Sequence, residues 1–331
     1  MEIIKNIRDK AFSLTQKIID RTGPRLAGTE NSKVAANMLK CEMEKFVDKT
    51  EVEDFDLYQG AFLGWIKILV ISYILSIVVI WLNYSVIAFG LSVLSILILV
   101  LQFFFYLPII DKLFPKKKGY NVVGFIEPKR EVKKQIIISG HHDSARIFNF
   151  FIHQPKLYNL RVTGSIALVI FLLVISIPLE FIEGTTLSII LKVLMTVGLL
   201  LIVQMWFFAS KKGTPGAGDN LIASTMALEI GRYYKDNPLN NIRIIIASFD
   251  AEEEGLRGAR AFAKKHSQLF TEIPTTLLNT DCAYNLDDLF FLTSDINGTV
   301  QLDKDLADEL VEISKSSGYN SVSKPIAFLT G

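Results

Sequence analysis

Two hydrophobic periodicities alternate along most of the chain. Residues 3–20 and 31–47 carry apolar side chains three and four positions apart, which predicts amphipathic helices, with Asn31-Ser32 capping the second. Short apolar or β-branched runs at 120–126, 135–139, 242–248 and 275–279, bounded by turn residues, predict buried strands. Helical spacing returns near 220–235, 256–268 and 302–317. Strands alternating with helices predict an α/β fold, a mostly parallel mixed sheet with helices on both faces. Ligands of such sheets bind beyond the carboxyl ends of the strands.

Two blocks break this pattern. From Ala61 to Ile110 the only charge is Lys67, with a soft break at Asn83-Tyr84-Ser85, and Val162–Ser210 repeats the theme with a break between Glu180 and Thr186. Each half is close to the ~20 residues needed to cross the hydrocarbon core. Core helices of soluble proteins are usually shorter and keep a polar stripe, so the blocks read as two transmembrane α-helical hairpins. The segments are then 1–60, 111–160 and 211–331 as parts of one α/β domain, interrupted by hairpins at 61–110 and 161–210.

Composition supports this division: half of the 331 residues are hydrophobic and only 21% are charged, too apolar for an ordinary soluble domain of this length. Lys67 and Lys192 lie near span ends, where a lysine can snorkel, and no ionisable group sits where a transport pathway would need one. The spans therefore read as an anchor in a lipid bilayer. Two hairpins return the chain to the side it left, so the polar segments share one face. Lys112, Lys116, Lys117, Lys118, Lys156, Arg161, Lys211 and Lys212 crowd that face, and the positive-inside rule makes it cytoplasmic. The acidic approach Glu51, Glu53, Asp54 and Asp56 counts little in that rule, and an Asn297-Gly-Thr sequon, a triplet that often arises by chance, argues the other way. A net charge of +1 without a basic stripe excludes a nucleic-acid partner. Two cysteines, Cys41 and Cys282, make no disulfide framework, and the first sixty residues contain no signal peptide.

Candidate chemistry falls where the sheet rule expects it. The strand at 135–139 ends in Gly140-His141-His142-Asp143-Ser144, that at 242–248 in Phe249-Asp250-Ala251-Glu252-Glu253-Glu254-Gly255, and that at 275–279 in Thr280-Asp281-Cys282. Gly216-Ala217-Gly218-Asp219-Asn220 opens a helix. Singly these are weak signals: a lone His, a helix-capping Asp219, a solvated glutamate run and a loop Asp281 are ordinary surface features. Jointly, one imidazole and several carboxylates at neighbouring termini are donors for a divalent metal and hydrolytic chemistry. No Gly-Lys-Ser/Thr follows the glycines at 213–218, so they are not a phosphate loop.

The stretches GPRLAGTENS (23–32), GHHDSA (140–145), GAGDN (216–220), FDAEEEGLRGA (249–259) and NTDCA (279–283) together resemble peptidase family M28, the co-catalytic di-zinc aminopeptidases and carboxypeptidases. The resemblance implies the zinc exopeptidase fold, two Zn(II) ions and a peptide substrate. It implies His141, Asp219, Glu253 and Asp281 as metal ligands, with Asp219 bridging, Glu252 as the catalytic general base and Asp143 fixing the His141 ring. His142 is expected to point away, His153 and His266 to lie on polar surfaces, Glu254 to face solvent, Asp250 to stand behind the ligands and Cys282 to be a small buried side chain. The family also implies a later His ligand, yet none follows His266, so either the chain is C-terminally truncated or its second metal site is crippled, and if nothing follows Gly331 weak or no activity is expected. A single-zinc glutaminyl cyclase-like enzyme and a non-catalytic membrane scaffold of the same fold are the alternatives; oligomeric state and residue preference are not legible.

Overall fold

The computed structural model describes residues 2–282, 288–295 and 298–325. The sequon asparagine Asn297, Ala283 of the last motif and the C-terminal Phe328–Gly331 lie outside them. The chain divides into two compact units, one of 1–57, 117–145 and 213–331, the other of 58–116 and 146–212.

The strands in chain order are β1 (Lys49–Tyr58), β2 (Lys116–Ile126), β3 (Lys134–His141), β4 (Arg146–Phe148), β5 (Ala209–Gly213), β6 (Ile242–Phe249), β7 (Thr275–Asn279), β8 (Phe290–Leu292) and β9 (Val322–Lys324). In the first unit a mixed sheet runs β1-β2-β6-β3-β7. β6 pairs antiparallel with β2 and parallel with β3, and β3 pairs parallel with β7. Side chains alternate across it with the period of two of a pleated strand. On β6, Ile244 and Ile246 join Leu14, Ile18, Leu39 and Leu228 in a core under the helices Glu2–Thr22, Glu30–Met43 and Ile222–Asp236. Ile245 and Ala247 point the other way, to Phe249 and Phe262 under the helix Arg257–Lys265. Both faces are thus covered, as the alternation of elements predicts. Gly140 allows the closest contact: a Cβ there would stand 2.6 Å from Ala223 Cβ and 2.8 Å from the Ser224 nitrogen. Only a glycine lets the carboxyl end of β3 lie this close to the helix that follows Asp219.

Some expectations are corrected. Thr29, not Asn31-Ser32, caps the second helix, its hydroxyl accepting from the Ser32 nitrogen. The acidic approach at 51–56 is the strand β1, whose charges blunt a sheet edge. Asp54 and Asp56 pair with Lys118, so that part of the basic flank serves the sheet. The helix expected at 256–268 breaks at His266 and resumes as Ser267–Glu272. The small parallel pair β8–β9, three residues each, carries too little pattern to be read in advance.

The second unit contains four helices long and apolar enough to cross a membrane, spanning Gly64–Trp81, Ser85–Phe104, Pro155–Phe181 and Thr186–Phe207. Asn83, in left-handed backbone, makes the first break and Gly184 the second, at the turns the sequence marks. Their mutual core includes Leu69, Tyr73, Ile80, Leu172, Met195 and Ile202. Ile71, Val78, Val174, Ile190 and Val197 point outward and stay exposed. Lys192 reaches the first turn, where its ammonium donates to Asn83 Oδ1 at 2.6 Å. β4 and β5 form a separate two-stranded sheet.

Candidate metal centre

His141 closes β3, opposite Phe249 at the end of β6, and the next nitrogen, of His142, donates to the Phe249 carbonyl at 2.9 Å. Adjacent parallel strands therefore end together, and the Asp250–Gly255 turn leaves β6 beside the imidazole. That turn is tight: Ala251 and Leu256 have positive φ, and the nitrogens of Gly255 and Leu256 both donate to the Glu252 carbonyl. β7 ends on the other side of β3, and the Thr280 nitrogen donating to the Ser139 carbonyl at 3.0 Å brings Asp281 to the same rim. Asp219 comes from the irregular turn Ala217–Leu221 that opens the helix Ile222–Asp236, and the Asp219–Asn220 peptide is cis. The Asn220 amide ties this turn to the third, donating to the Thr280 carbonyl at 2.8 Å.

The four chain ends meet on one nitrogen. His141 Nε2 stands 3.2 Å from Asp219 Oδ1, 3.7 Å from Glu252 Oε2 and 3.8 Å from Asp281 Oδ1. One donor atom each from His141, Asp219 and Glu253 lies within 4.8 Å of the others, as does one each from Asp219, Asp281 and Cys282. His141 is 2% exposed and neither ring nitrogen makes a hydrogen bond, an orphaned buried imidazole facing only carboxylates. Behind the ring, Asp143 is fully buried with Oδ1 at 3.2 Å from His141 Nδ1. The same carboxylate accepts from the Glu252 and Glu253 nitrogens, both at 3.2 Å, and so fixes the ring and the glutamate turn together.

So many like charges perturb one another. Burial, with repulsion from Asp143, Asp281 and Asp219 outweighing the attraction of His141, pushes Glu252 up to about 7. Burial and the neighbouring Glu252 raise Glu253 well above the carboxylate range. For His141 burial works downward, but the carboxylates of Asp143, Asp219 and Asp281 override it and raise the imidazole. Burial acts against ionised Asp281 too, and the His141 contact outweighs it and lowers that carboxyl. A cluster of carboxylates around one imidazole is deficient in positive charge, and its oxygen and nitrogen donors fit a borderline divalent ion such as zinc.

Of the other titratable side chains, some meet expectation and some do not. His142 does point away: it is fully buried, its Nδ1 lies 2.8 Å from Ser248 Oγ, and burial pushes it down to about 3. His153 is exposed at the end of a short helix. His266 is not on a polar surface: its ring packs on Phe125, Phe262 and Phe270 and lies 2.7 Å from Glu53. Glu254 is buried, because the turn folds it back into the sheet end instead of into solvent. Cys282 is exposed, not buried, and turned to Asp219 and Asp281 by a left-handed backbone. Asp250 does sit behind the ligands, accepting from Ser32 Oγ and the nitrogens of Tyr120 and Ala251, and burial and Asp143 push it up to about 7.

Arg25 is the residue that sequence reasoning passed over. Its guanidinium is fully buried and donates to the carbonyls of His142, Gly23, Pro215 and Gly216. It thus ties the segment after His141 to the loop before Asp219. The signal was an arginine inside the GPRLAG stretch, a charged residue in an otherwise small and apolar turn.

A mixed α/β sheet with an imidazole and carboxylates gathered at its strand ends is a zinc exopeptidase-like fold. Residues 203–327 match the model of peptidase family M28. Solved structures similar to it include a leucine aminopeptidase precursor from Bacteroides thetaiotaomicron, at 14% identity and a TM-score of 0.53 over 98% of this chain and 78% of that one. A zinc aminopeptidase from Bacillus subtilis aligns at 15% identity and a TM-score of 0.50, over 96% and 79% of the two chains. A glutaminyl cyclase from an Acidobacteriales bacterium aligns at 14% identity and 0.51, over 97% and 72%. At these identities the likeness is one of fold. No curated protein matches the sequence.

Proposed function

We propose that the chain is a zinc-dependent exopeptidase of the aminopeptidase type, removing N-terminal residues from peptides. The observation that carries this reading is the buried, unpartnered His141 ring with three carboxylates at 3.2–3.8 Å from its Nε2. His141, Asp219 and Glu253 would hold one zinc, and Asp219 and Asp281 would hold the second. When bound, the ions supply Lewis acidity toward the scissile carbonyl and acidify a water molecule. Glu252 is the general base: its carboxylate stands 3.7 Å from His141 Nε2, at the rim where the substrate carbonyl would lie. It takes the proton of the attacking water and delivers it to the leaving amine. Asp143 holds the imidazole and the Glu252–Glu253 backbone in register. The surplus of carboxylates attracts the free α-ammonium of a substrate, which favours trimming from the N-terminus. Aminoacyl reporter substrates with the zinc-loaded full chain and its Glu252→Gln variant provide the test. Weak turnover by the parent, lowered a further ~10²–10⁴-fold in a variant of equal zinc content, is the expected result; equal turnover by the two would remove Glu252 from the reaction.

A second reading is a single-zinc enzyme that cyclises an N-terminal glutamine, favoured by the one-ion donor set that His141, Asp219 and Glu253 make by themselves. Zinc content near one per chain with release of ammonia from glutaminyl peptides would select it.

The helices of the second unit are proposed to span the bilayer as an anchor, with the polar segments on the cytoplasmic side. At 18, 20, 27 and 22 residues they extend about 27–40 Å, against about 30 Å of hydrocarbon. Their outward faces are apolar, as lipid contact requires. Labelling of the exposed Cys41 by an impermeant reagent, only after sealed cells are opened, is the expected result. Labelling of intact cells would reverse the orientation.

A further inference from the structure

Three polar side chains meet next to the candidate centre, inside what is otherwise apolar core. Ile244, Ile246 and Ser248 point to the same face of β6, and the two isoleucines pack under the helix Ile222–Asp236. Ser248 ends that row with a hydroxyl. Its Oγ lies 2.8 Å from His142 Nδ1, just past the end of β3, and 2.7 Å from Ser224 Oγ on the helix. All three residues are fully buried. Each belongs to a segment that delivers one donor of the proposed first ion. His142 adjoins His141, Ser248 precedes the turn carrying Glu253, and Ser224 follows the turn carrying Asp219. Building on that reading, we infer that His142, Ser248 and Ser224 are positioning residues, a hydrogen-bonded brace that fixes the spacing of His141, Glu253 and Asp219 for zinc.

The strands β3 and β6 are tied by backbone bonds up to the His142 nitrogen and the Phe249 carbonyl. A helix shares no such ladder with a sheet, and apolar packing by itself is non-directional. The Ser224–Ser248 bond supplies the direction and so sets how far the helix slides along the strand ends. It acts where the two approach most closely: Gly140 is the β3 partner of Ser248, and a Cβ on it would stand 2.8 Å from the Ser224 nitrogen. Out of water such bonds strengthen, and groups left without one are costly. Each hydroxyl can donate to one neighbour and accept from another, so Ser248 serves both of its partners at once. His142 Nε2 makes no hydrogen bond, which leaves Nδ1 and Ser248 to hold the ring.

The test uses the full chain in competition for zinc against a chelator of known affinity, with unfolding followed in parallel. Ser248→Ala, which breaks both bonds, should weaken zinc binding by about 10–100-fold, the usual loss when a group behind the ligands is removed. Ser224→Ala breaks one bond and should weaken it less. The double variant should lose no more than Ser248→Ala alone, because both changes cut the same bond. Ile244→Val, on the same face of β6 but away from the site, lowers stability through packing and should leave zinc binding within twofold. Ligand-field bands of saturating Co(II), which report the angles among the donors, should shift in both serine variants and stay in place in Ile244→Val. Zinc binding by Ser248→Ala within twofold of the parent, or an equal loss in Ile244→Val, overturns the brace and leaves the proposed metal centre standing. Failure of the parent chain to bind either metal overturns both.

Discussion

Asp143→Asn is the most informative single change, because it keeps the shape of the side chain and alters only charge and one donor–acceptor role. The carboxylate accepts from two backbone nitrogens, of Glu252 and Glu253, and stands 3.2 Å from His141 Nδ1. An amide must present its NH2 to one of these nitrogens, leaving a buried donor facing a donor. That costs about 1–3 kcal/mol. Opposing it, loss of the charge relieves repulsion on Asp250, Glu252 and Glu253, all of which Asp143 pushes upward. Net stability of the metal-free protein therefore moves little, since the two effects oppose each other. Zinc affinity moves in one direction only. Losing the partner that orients His141 weakens the ligand, typically by about 10–100-fold. The relief of repulsion acts the same way, because it removes charge that a cation would have neutralised. The assay is competition for zinc against a chelator of known affinity, with unfolding followed in parallel. A variant that binds zinc within twofold of the parent would refute the claim that Asp143 orients the imidazole.

Glu252→Gln should lower turnover by about 10²–10⁴-fold while zinc content is unchanged, because a base is removed and no ligand. Arg25→Met removes the donor of four carbonyls, those of the buried His142 and Gly216 among them, so unfolding measurements should show a loss of about 3–5 kcal/mol. Gly140→Ala places a Cβ 2.6 Å from Ala223 Cβ and should cost about 1–3 kcal/mol by overpacking, read as a lower midpoint in the same experiment. His142 predicts a pH dependence. Its folded value of about 3 lies below the ordinary imidazole value of 6.5, so only the unfolded chain takes up its proton between them. Stability from this residue is full above pH 6.5 and falls by about 1.4 kcal/mol per pH unit below it. His142→Gln should flatten that slope by one proton, and an unchanged slope in unfolding curves from pH 6.5 to 4.5 would count against a neutral buried ring.

The elements of the α/β unit were legible because each owes its form to a local pattern. The helix Ile222–Asp236 and the strands β3, β6 and β7 carry their period in their own residues, and they fall within a residue or two of expectation. The apolar helices and both their breaks follow from length and composition alone. The donor residues were also legible, since strand ends in a parallel arrangement must share a rim.

Tertiary structure alone decided what surrounds them. β1 was hidden because its charges, among them Asp54 and Asp56, are neutralised by Lys118, more than sixty residues away, not by any neighbour in sequence. Glu254 and Glu252 are two residues apart in one turn and identical in side chain, yet one is folded into the protein and the other faces His141, a choice made by the reversal at Ala251 and Leu256. Arg25 and Cys282 gained their meaning only when distant segments met. A guanidinium satisfied by four carbonyls and a thiol turned to two carboxylates are relations between chain segments that no local pattern encodes. Sequence therefore determined which residues could supply chemistry, because donor type is a property of the side chain. Their number around one point in space was set by folding, because convergence depends on long-range packing.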